Sequence, residues 1–318
     1  MEKPNLICAF VTGLAFCIVG SASASPPGVD PELLSLVPPA TAIVAQVTYG
    51  TEPSYLVVTH NNTADLMDLQ SIWGVDPTRT IKRTIFVVVR DGQGLISEHS
   101  LLASGHFDTR HIFKAAQENG ATESEYLGIP VLIVPPLGRD KGISDDIRWL
   151  AFIDSQIAVF GTIPMVREEL RRYLAHSPAD FALMRKLSRL RSTDQSWCVV
   201  TPTVYNSEIV RRTLAALDPS LGQPHAEDGL ILGFHFGRRV EIEYESVPDS
   251  RDSEESQPET QPGFSQAPPQ GPPKASHFFS NSDSTLPRVI KLSRKQYDGF
   301  IAREQTHFEQ KSSQPTRK

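Results

Sequence analysis

The fold is indicated by a strand-helix-strand-strand pattern that opens in residues 99–134, HSLLASGHFDTRHIFKAAQENGATESEYLGIPVLIV, and extends to residue 161. The apolar run from Leu101 to Ser104 is typical of a strand, and Ile112 and Ala116 follow with helical spacing. Another strand is predicted from Val131 to Val134. Capping and turn residues between these runs indicate where each element begins and ends.

The predicted helix of this unit has a well-defined start at Asp108. Its carboxylate is placed to accept the backbone N–H of His111, and Phe107 and Ile112 flank the start as a hydrophobic staple. Asn119-Gly120 supplies the residue types that commonly end helices. We therefore expect a helix that begins directly after Asp108 and stops near Asn119.

A similar unit is predicted at 196–246, where Asn206 takes the capping position. Tyr205 and Val210 form its staple, and Asp218-Pro219 ends its helix. A fainter unit spans 41–106, with Asn62 as cap and a helix end near Trp73-Gly74.

Apolar runs of strand character alternate with helical stripes through the whole region. The runs are Ile43 to Val47, Ile85 to Val89, Leu101 to Ser104, Val131 to Val134, Leu150 to Phe160, Val199 to Val204, Leu230 to Phe236 and Val240 to Tyr244. We predict an α+β fold: a mostly antiparallel sheet with helices on one face, in repeated strand-helix-strand-strand units of ferredoxin-like or split βαβ style.

The N-terminus has the three parts of a secretory signal. A short charged start precedes an apolar run from Leu6 to Gly20, and the small residues Ser21 to Ser25 follow. We predict a signal peptide at 1–24, cleaved after Ala24, which directs the chain to a secreted, periplasmic or cell-envelope location. Retention as an uncleaved anchor is the alternative, although the run is short for a membrane span.

The rest of the chain divides by composition. Residues 25–37 are predicted to be an N-terminal extension, 38–246 the α+β region, and 247–284 a disordered linker rich in Pro, Ser, Gln and acidic residues. Residues 285–318 are predicted to be a basic, mostly disordered tail. The net charge of −6 argues against a general nucleic-acid binder, for which a strongly basic domain is expected.

Cysteine usage fits an exported chain that relies on packing. Cys8 and Cys17 lie in the predicted signal, so Cys198 is left alone and cannot form an intramolecular disulfide. Its neighbours Trp197 and Val199 predict a buried strand, in which cysteine behaves as a small hydrophobic residue.

Four segments resemble a group of uncharacterised exported proteins of soil bacteria. They are the first segment Pro31 to Thr41, the phrase Gly105-His106-Phe107-Asp108, the turn Tyr126 to Val131 and the hairpin Ala151 to Asp154. The similarity covers residues 31–245 and consists of turns and caps. The resemblance implies a shape and an extracytoplasmic compartment, and no activity.

No catalytic, cofactor-binding or metal-ligating residue is assigned, and no cofactor is expected. His106, Asp108 and His111 are close enough in sequence to suggest zinc ligands, but the capping role already explains Asp108. The chain lacks a G-x-S-x-G elbow, an H-E-x-x-H pair and a P-loop. Gly92-Gln93-Gly94 is interpreted as the turn of a hairpin between Val89 and Leu101.

The function predicted from these features is a non-enzymatic binding or scaffolding role in the cell envelope. The alternative is an extracytoplasmic, hydrolase-like enzyme. The partner is unknown; a flexible basic tail is hypothesised to contact an anionic envelope component or a protein. The arginine-rich helices at 163–191 are interpreted as a solvated, internally paired surface, with an anionic partner as the second possibility. No transmembrane span is expected after signal cleavage.

Overall fold

The computed structural model describes residues 30–48, 77–90, 96–135, 147–191, 194, 196–205, 211–212, 214–215, 218–219, 228–248, 287–300 and 303. The signal predicted at 1–24, the caps Asn62 and Asn206, and nearly all of the predicted linker lie outside these residues. Among the described residues, no helix combines the length and apolar character needed to cross a membrane.

The fold is α+β, as predicted, and is built on one antiparallel sheet. The described strands form one eleven-stranded sheet, in the order β11-β10-β9-β8-β1-β2-β3-β7-β6-β5-β4. Their bounds are β1 (Thr41–Thr48), β2 (Ile81–Arg90), β3 (Ile96–Gly105), β4 (Thr122–Tyr126), β5 (Ile129–Val134), β6 (Arg148–Phe152), β7 (Ile157–Thr162), β8 (Ser196–Val200), β9 (Asp228–Phe236), β10 (Arg239–Pro248) and β11 (Arg288–Ser293).

Short helices among the described residues pack on this sheet. They are α1 (Pro31–Leu36), α2 (Pro77–Thr80), α3 (Thr109–Glu118), α4 (Ile163–Leu174), α5 (Phe181–Leu187) and α6 (Pro202–Tyr205), and residues 294–300 are also helical. The start of α3 is as predicted, because Asp108 Oδ1 accepts the backbone N–H of His111 at 3.1 Å. Asn119 caps the C-terminus of α3, and Gly120 follows with a φ of 93°.

Helices cover both faces of the sheet, whereas the sequence predicted one covered face. Leu102 of β3 shares a core cluster with residues of α1, α4 and α5, while its neighbour Leu101 shares a cluster with α3. Successive strand residues point to opposite faces, and we call the two sides the α4 face and the α3 face. Unbroken apolar runs such as Ile85 to Val89 are the sequence signal for burial on both faces.

The split βαβ arrangement is also corrected, because every paired strand in the described sheet runs antiparallel. β8 and β9 are direct antiparallel neighbours although α6 follows β8 in the chain. β2 and β3 form the hairpin predicted around residues 92–94, and the turn itself lies outside the described residues. Sequential hairpins and meanders therefore replace the parallel crossovers that a split βαβ unit requires.

The first segment of the described chain belongs to the core rather than to an extension at 25–37. Leu33, Leu34 and Leu36 of α1 are fully buried on the α4 face. Asp30 caps α1, and Arg172 of α4 donates to the Ser35 carbonyl at 2.9 Å. The apolar spacing of this segment matched a helix, but only its contact with α4 reveals that it is part of the fold.

Part of the tail predicted to be mostly disordered at 285–318 is described, and residues 287–300 of it form a strand and a helix on the sheet. β11 pairs with β10 from Arg239↔Ser293 to Tyr244↔Arg288, and Tyr297 and Phe300 are buried in the core beside Phe236. The apolar residues of this segment pack on the edge of β10 in the same chain.

Candidate functional site

An open groove lies on the surface beside α3. It is bounded by α3, by the β4–β5 hairpin and by the turn between β6 and β7, and it is lined by Thr109, Arg110, Phe113, Lys114, Gln117, Glu123, Pro130, Phe152, Asp154 and Ser155. These supports are regular elements of the sheet and a capped helix. The groove therefore has a preformed shape.

The groove combines an aromatic floor with charges of both signs. Phe113 and Phe152 lie with their ring centroids 6.0 Å apart. Arg110 and Lys114 are exposed on the α3 side, while the acidic residues of the groove belong to β4 and the β6–β7 turn. Gln117 Nε2 donates to Glu123 Oε2 at 3.1 Å and joins the two sides. Such a surface suits a ligand that has an apolar group between charges of opposite sign.

The histidines near this groove are not brought together as a metal site. His106 follows β3 and His111 lies in the first turn of α3, and both side chains are exposed. Asp108 is occupied by the cap of α3. Among the described residues, no three His, Cys, Asp or Glu side chains are arranged to hold a metal ion.

A buried carboxyl group lies between α4 and the sheet. Glu169 of α4 is fully buried, and its Oε1 accepts a hydrogen bond from the hydroxyl of Ser100 on β3. Burial raises the pKa of Glu169 to about 8, with a smaller upward effect from Glu168 and an opposing effect from the Ser100 hydrogen bond. Its Oε2 has no hydrogen-bond partner among the described residues. Glu169 is therefore protonated at neutral pH and below.

Gly161 permits the close approach of β7 to β3 at Ser100, the hydrogen-bond partner of Glu169. It pairs with Ser100 between β7 and β3, and a Cβ at this position would lie 2.7 Å from the Ser100 Cα. Backbone atoms cannot yield to such a contact. A glycine inside an apolar strand is a sequence signal for such a close approach.

A row of directly paired residues crosses the α4 face farther along the sheet. It runs from Glu243 on β10 through Gly233 on β9 and Trp197 on β8 to Gln46 on β1. The Trp197 indole nitrogen and both amide atoms of Gln46 are buried without a hydrogen-bond partner among the described residues. Each such group carries a desolvation penalty, so this row is a polar defect within an otherwise apolar core.

A second carboxyl group with a raised pKa covers the same row. The Asp194 carboxylate occupies the space that a side chain at Gly233 would take, and its Oδ2 accepts the Arg191 N–H at 3.0 Å. The pKa of Asp194 is raised to about 6, chiefly by burial and also by the charge of Glu243, and the Arg191 backbone hydrogen bond opposes this shift.

The arginines at 163–191 are largely engaged within the chain, in line with the paired-surface interpretation. Arg167 stacks over the Trp149 ring at 4.8 Å, and Arg191 Nε lies 2.5 Å from Glu243 Oε2. Arg171 bonds Glu168 and the Tyr126 hydroxyl. Hydrogen bonding to Tyr126, with charge interactions, raises the pKa of Arg171. These contacts fasten α4 and the following segment to the sheet.

Cys198 occupies the buried strand position predicted for it. It lies on β8, 3% exposed, and points to the α3 face. Burial raises the pKa of its thiol well above the usual range. A protonated, inaccessible thiol is a poor nucleophile, so Cys198 acts here as a core side chain.

Comparisons with known proteins identify no family for this chain. No protein-family model matches it, and no curated protein is similar to it. Among solved structures, that of TP0453 in its crystal form I aligns with a TM-score of 0.38 and 10% identity, over 69% of this chain and 79% of that chain. This likeness is too distant to carry an inference about the present protein.

Proposed function

We propose that this protein is a non-enzymatic binding or scaffolding protein of the cell envelope, and that the groove beside α3 receives an extended peptide segment. The observation that carries the proposal is the groove's composition: an aromatic floor between a basic helix and acidic strand residues. An extended peptide presents alternate side chains to opposite sides. It can therefore place an apolar side chain on Phe113 and Phe152. An acidic residue of the peptide can then lie beside the basic residues of α3, and a basic residue of the peptide beside the acidic residues on the other side of the groove.

The neighbouring strand supports an extended ligand. β4 pairs with β5 and is the terminal strand of the described sheet. Residues Thr122 to Glu125 are exposed along it. A terminal strand offers backbone groups on which a peptide can align, so the groove and this edge together suit one extended segment.

The positions of the perturbed ionisable groups favour binding over catalysis. Glu169 lies against β3 and Asp194 against β9, and four strand spacings of about 4.8 Å separate those strands. Cys198 points to the opposite face. General acid-base chemistry needs such groups within hydrogen-bond reach of one another or of one substrate, and these groups are buried in separate places outside the groove.

The proposal includes export of the protein to the cell envelope. The sequence of residues 1–24 supports export, and reliance on packing instead of disulfides is compatible with it. The rival function, an extracytoplasmic hydrolase-like enzyme, would be expected to act on a peptide held in the groove. One experiment can compare the two.

The experiment selects ligands for the full-length chain from a random library of octapeptides. Enriched peptides should carry an apolar or aromatic residue between an acidic and a basic one. Lys114→Glu, in the groove, should weaken binding of a selected peptide about tenfold, while Lys295→Glu, on the distant helix 294–300, should leave it unchanged. Failure to enrich any peptide, or equal binding by Lys114→Glu, would contradict the groove assignment. Recovery of cleaved peptides would favour the enzyme.

A further inference from the structure

The pairing of β11 with β10 differs from an ordinary hairpin in the length of its connection. Antiparallel neighbours are usually joined by two to five residues. Here residues 249–287 lie between Pro248 and Arg288, although Arg288 pairs with Tyr244, only four positions before Pro248. That offset corresponds to about 14 Å along the strand. The connection is therefore much longer than the distance it must span.

The β11 segment is held by contacts that do not depend on this connection. Ile290 and Leu292 pack against the core cluster of the α3 face, and Tyr297 is fully buried with its ring centroid 5.9 Å from that of Phe236. Lys291 Nζ lies 3.0 Å from Glu241 Oε1. The same contacts would form with an identical segment from another molecule.

One ion pair between β10 and β11 favours a lysine on the incoming strand. Glu241, Glu243 and Glu245 follow one another along β10 at alternate positions. The hydrogen bond from Lys291 lowers the pKa of Glu241, which keeps that carboxylate ionised beside the incoming lysine. On β11, Lys291 lies opposite Glu241, while Val289 lies opposite Glu243 and Arg288 opposite Tyr244.

We propose that the outer edge of β10 is a strand-acceptor site, and that β11 exchanges between two copies of this chain to link them. In exchange, β11 of one molecule pairs with β10 of the other in the register seen here. This surface lies at the opposite end of the sheet from the α3 groove. The inference is therefore independent of the proposed peptide-binding function.

The length of the connection determines how pairing of β11 with β10 of the same molecule competes with pairing between two molecules. Effective concentration within a molecule falls as about the 3/2 power of connection length, so 39 residues reduce it about thirtyfold relative to a four-residue turn. Pairing between molecules then competes as the protein concentration rises. Exchange of an identical element between protomers conserves its contacts.

Two chains that each carry one exposed cysteine, with Cys198 retained in the core, can report the exchange. One carries Arg239→Cys and the other Ser293→Cys, both exposed positions that face each other in the β10–β11 register, and both chains carry Cys8→Ser and Cys17→Ser. A disulfide between the chains forms only when β11 of one lies on β10 of the other. Because pairing follows mass action, a tenfold higher concentration should raise the fraction of mixed covalent dimer about tenfold while the dimer is the minor species.

Two matched controls make the result decisive. Arg239→Cys mixed with Arg288→Cys should give no dimer above background, because these positions lie at opposite ends of the paired segment. Deleting residues 253–282 from both reporting chains leaves nine connecting residues and should lower the dimer yield about ninefold. Equal melting temperatures of the variants and the wild type establish that each is folded. No dimer above the Arg288→Cys control at any concentration, or a yield unaffected by the deletion, would overturn the proposal.

Discussion

The Ser100 hydroxyl donates a hydrogen bond to the carboxyl group of Glu169 across the interface between β3 and α4. It gives one oxygen of a fully buried acid a partner and leaves the other without one among the described residues. Burial is the dominant effect, so the acid stays protonated in the folded chain to about pH 8. The burial of this acid makes the stability of the fold dependent on pH.

We expect the free energy of unfolding to fall as the pH rises between about 4.5 and about 8. In this window the folded chain retains the Glu169 proton and the unfolded chain has lost it, so each pH unit lowers stability by about 1.4 kcal/mol. Glu169→Gln, which resembles the protonated acid, should remove this slope. Urea unfolding of both chains from pH 5 to pH 9 measures it, and parallel curves would contradict the prediction.

Gln46→Leu should stabilise the protein by about 1 to 3 kcal/mol. The substitution removes two buried amide atoms without hydrogen-bond partners and keeps a side chain of similar volume in the core. Gln46→Glu serves as the control and should destabilise, because it buries an acid at the same place. Thermal and urea unfolding compare the three chains. A loss of stability in Gln46→Leu would mean that the amide has a partner, such as a buried water.

Asp108→Ala should destabilise the protein by about 1 kcal/mol, because α3 loses the acceptor for the His111 N–H. Asp108→Asn should retain most of the stability, since asparagine also caps well. Added zinc should leave the melting temperature of the wild type unchanged. If zinc raised it, and His106→Ala abolished that rise, the metal-site alternative would replace the capping role.

The mature protein should begin at or near Ser25. The small-residue site follows a short apolar run, which predicts cleavage after Ala24. N-terminal sequencing of protein recovered from the cell envelope measures the start. Recovery of the intact Met1 end in membranes would favour the uncleaved anchor.

Limited proteolysis should cut first within residues 249–284, where the composition predicts little packing. The C-terminal fragment should then stay bound to the larger one, because β11, Tyr297 and Phe300 remain in place on the sheet. Size-exclusion chromatography under native conditions should give one peak, and denaturing gels should give two fragments. Separate elution would show that the strand contacts are too weak to hold without the connection.

The features that were predicted well are those encoded within a few residues. The Asp108 cap, the end of α3 and the buried strand around Cys198 each depend on neighbours in sequence. The strand runs and the α+β class followed from periodicity. Local patterns could therefore establish which elements exist and where several of them begin.

The features that were missed depend on pairing between distant residues. The contact between Ser100 and Glu169, and the row that joins Gln46 to Trp197, arise only once strand order and register are set. Residues 285–318 were predicted to be mostly disordered because their apolar surface is hardly enough to fold alone, and the sequence does not indicate that the β10 edge accepts the apolar residues of β11. The α3 groove likewise combines three elements that no short motif connects.

The central position of β1 has a consequence for the order of folding. This strand is the first of the described sheet to be synthesised, and it pairs with β2 on one side and with β8 on the other, where Ile43 meets Val200. Its second neighbour is thus unavailable until most of the chain has been made. Contacts of such high sequence separation slow folding, so one side of β1 stays without its partner strand at least until β8 has been synthesised.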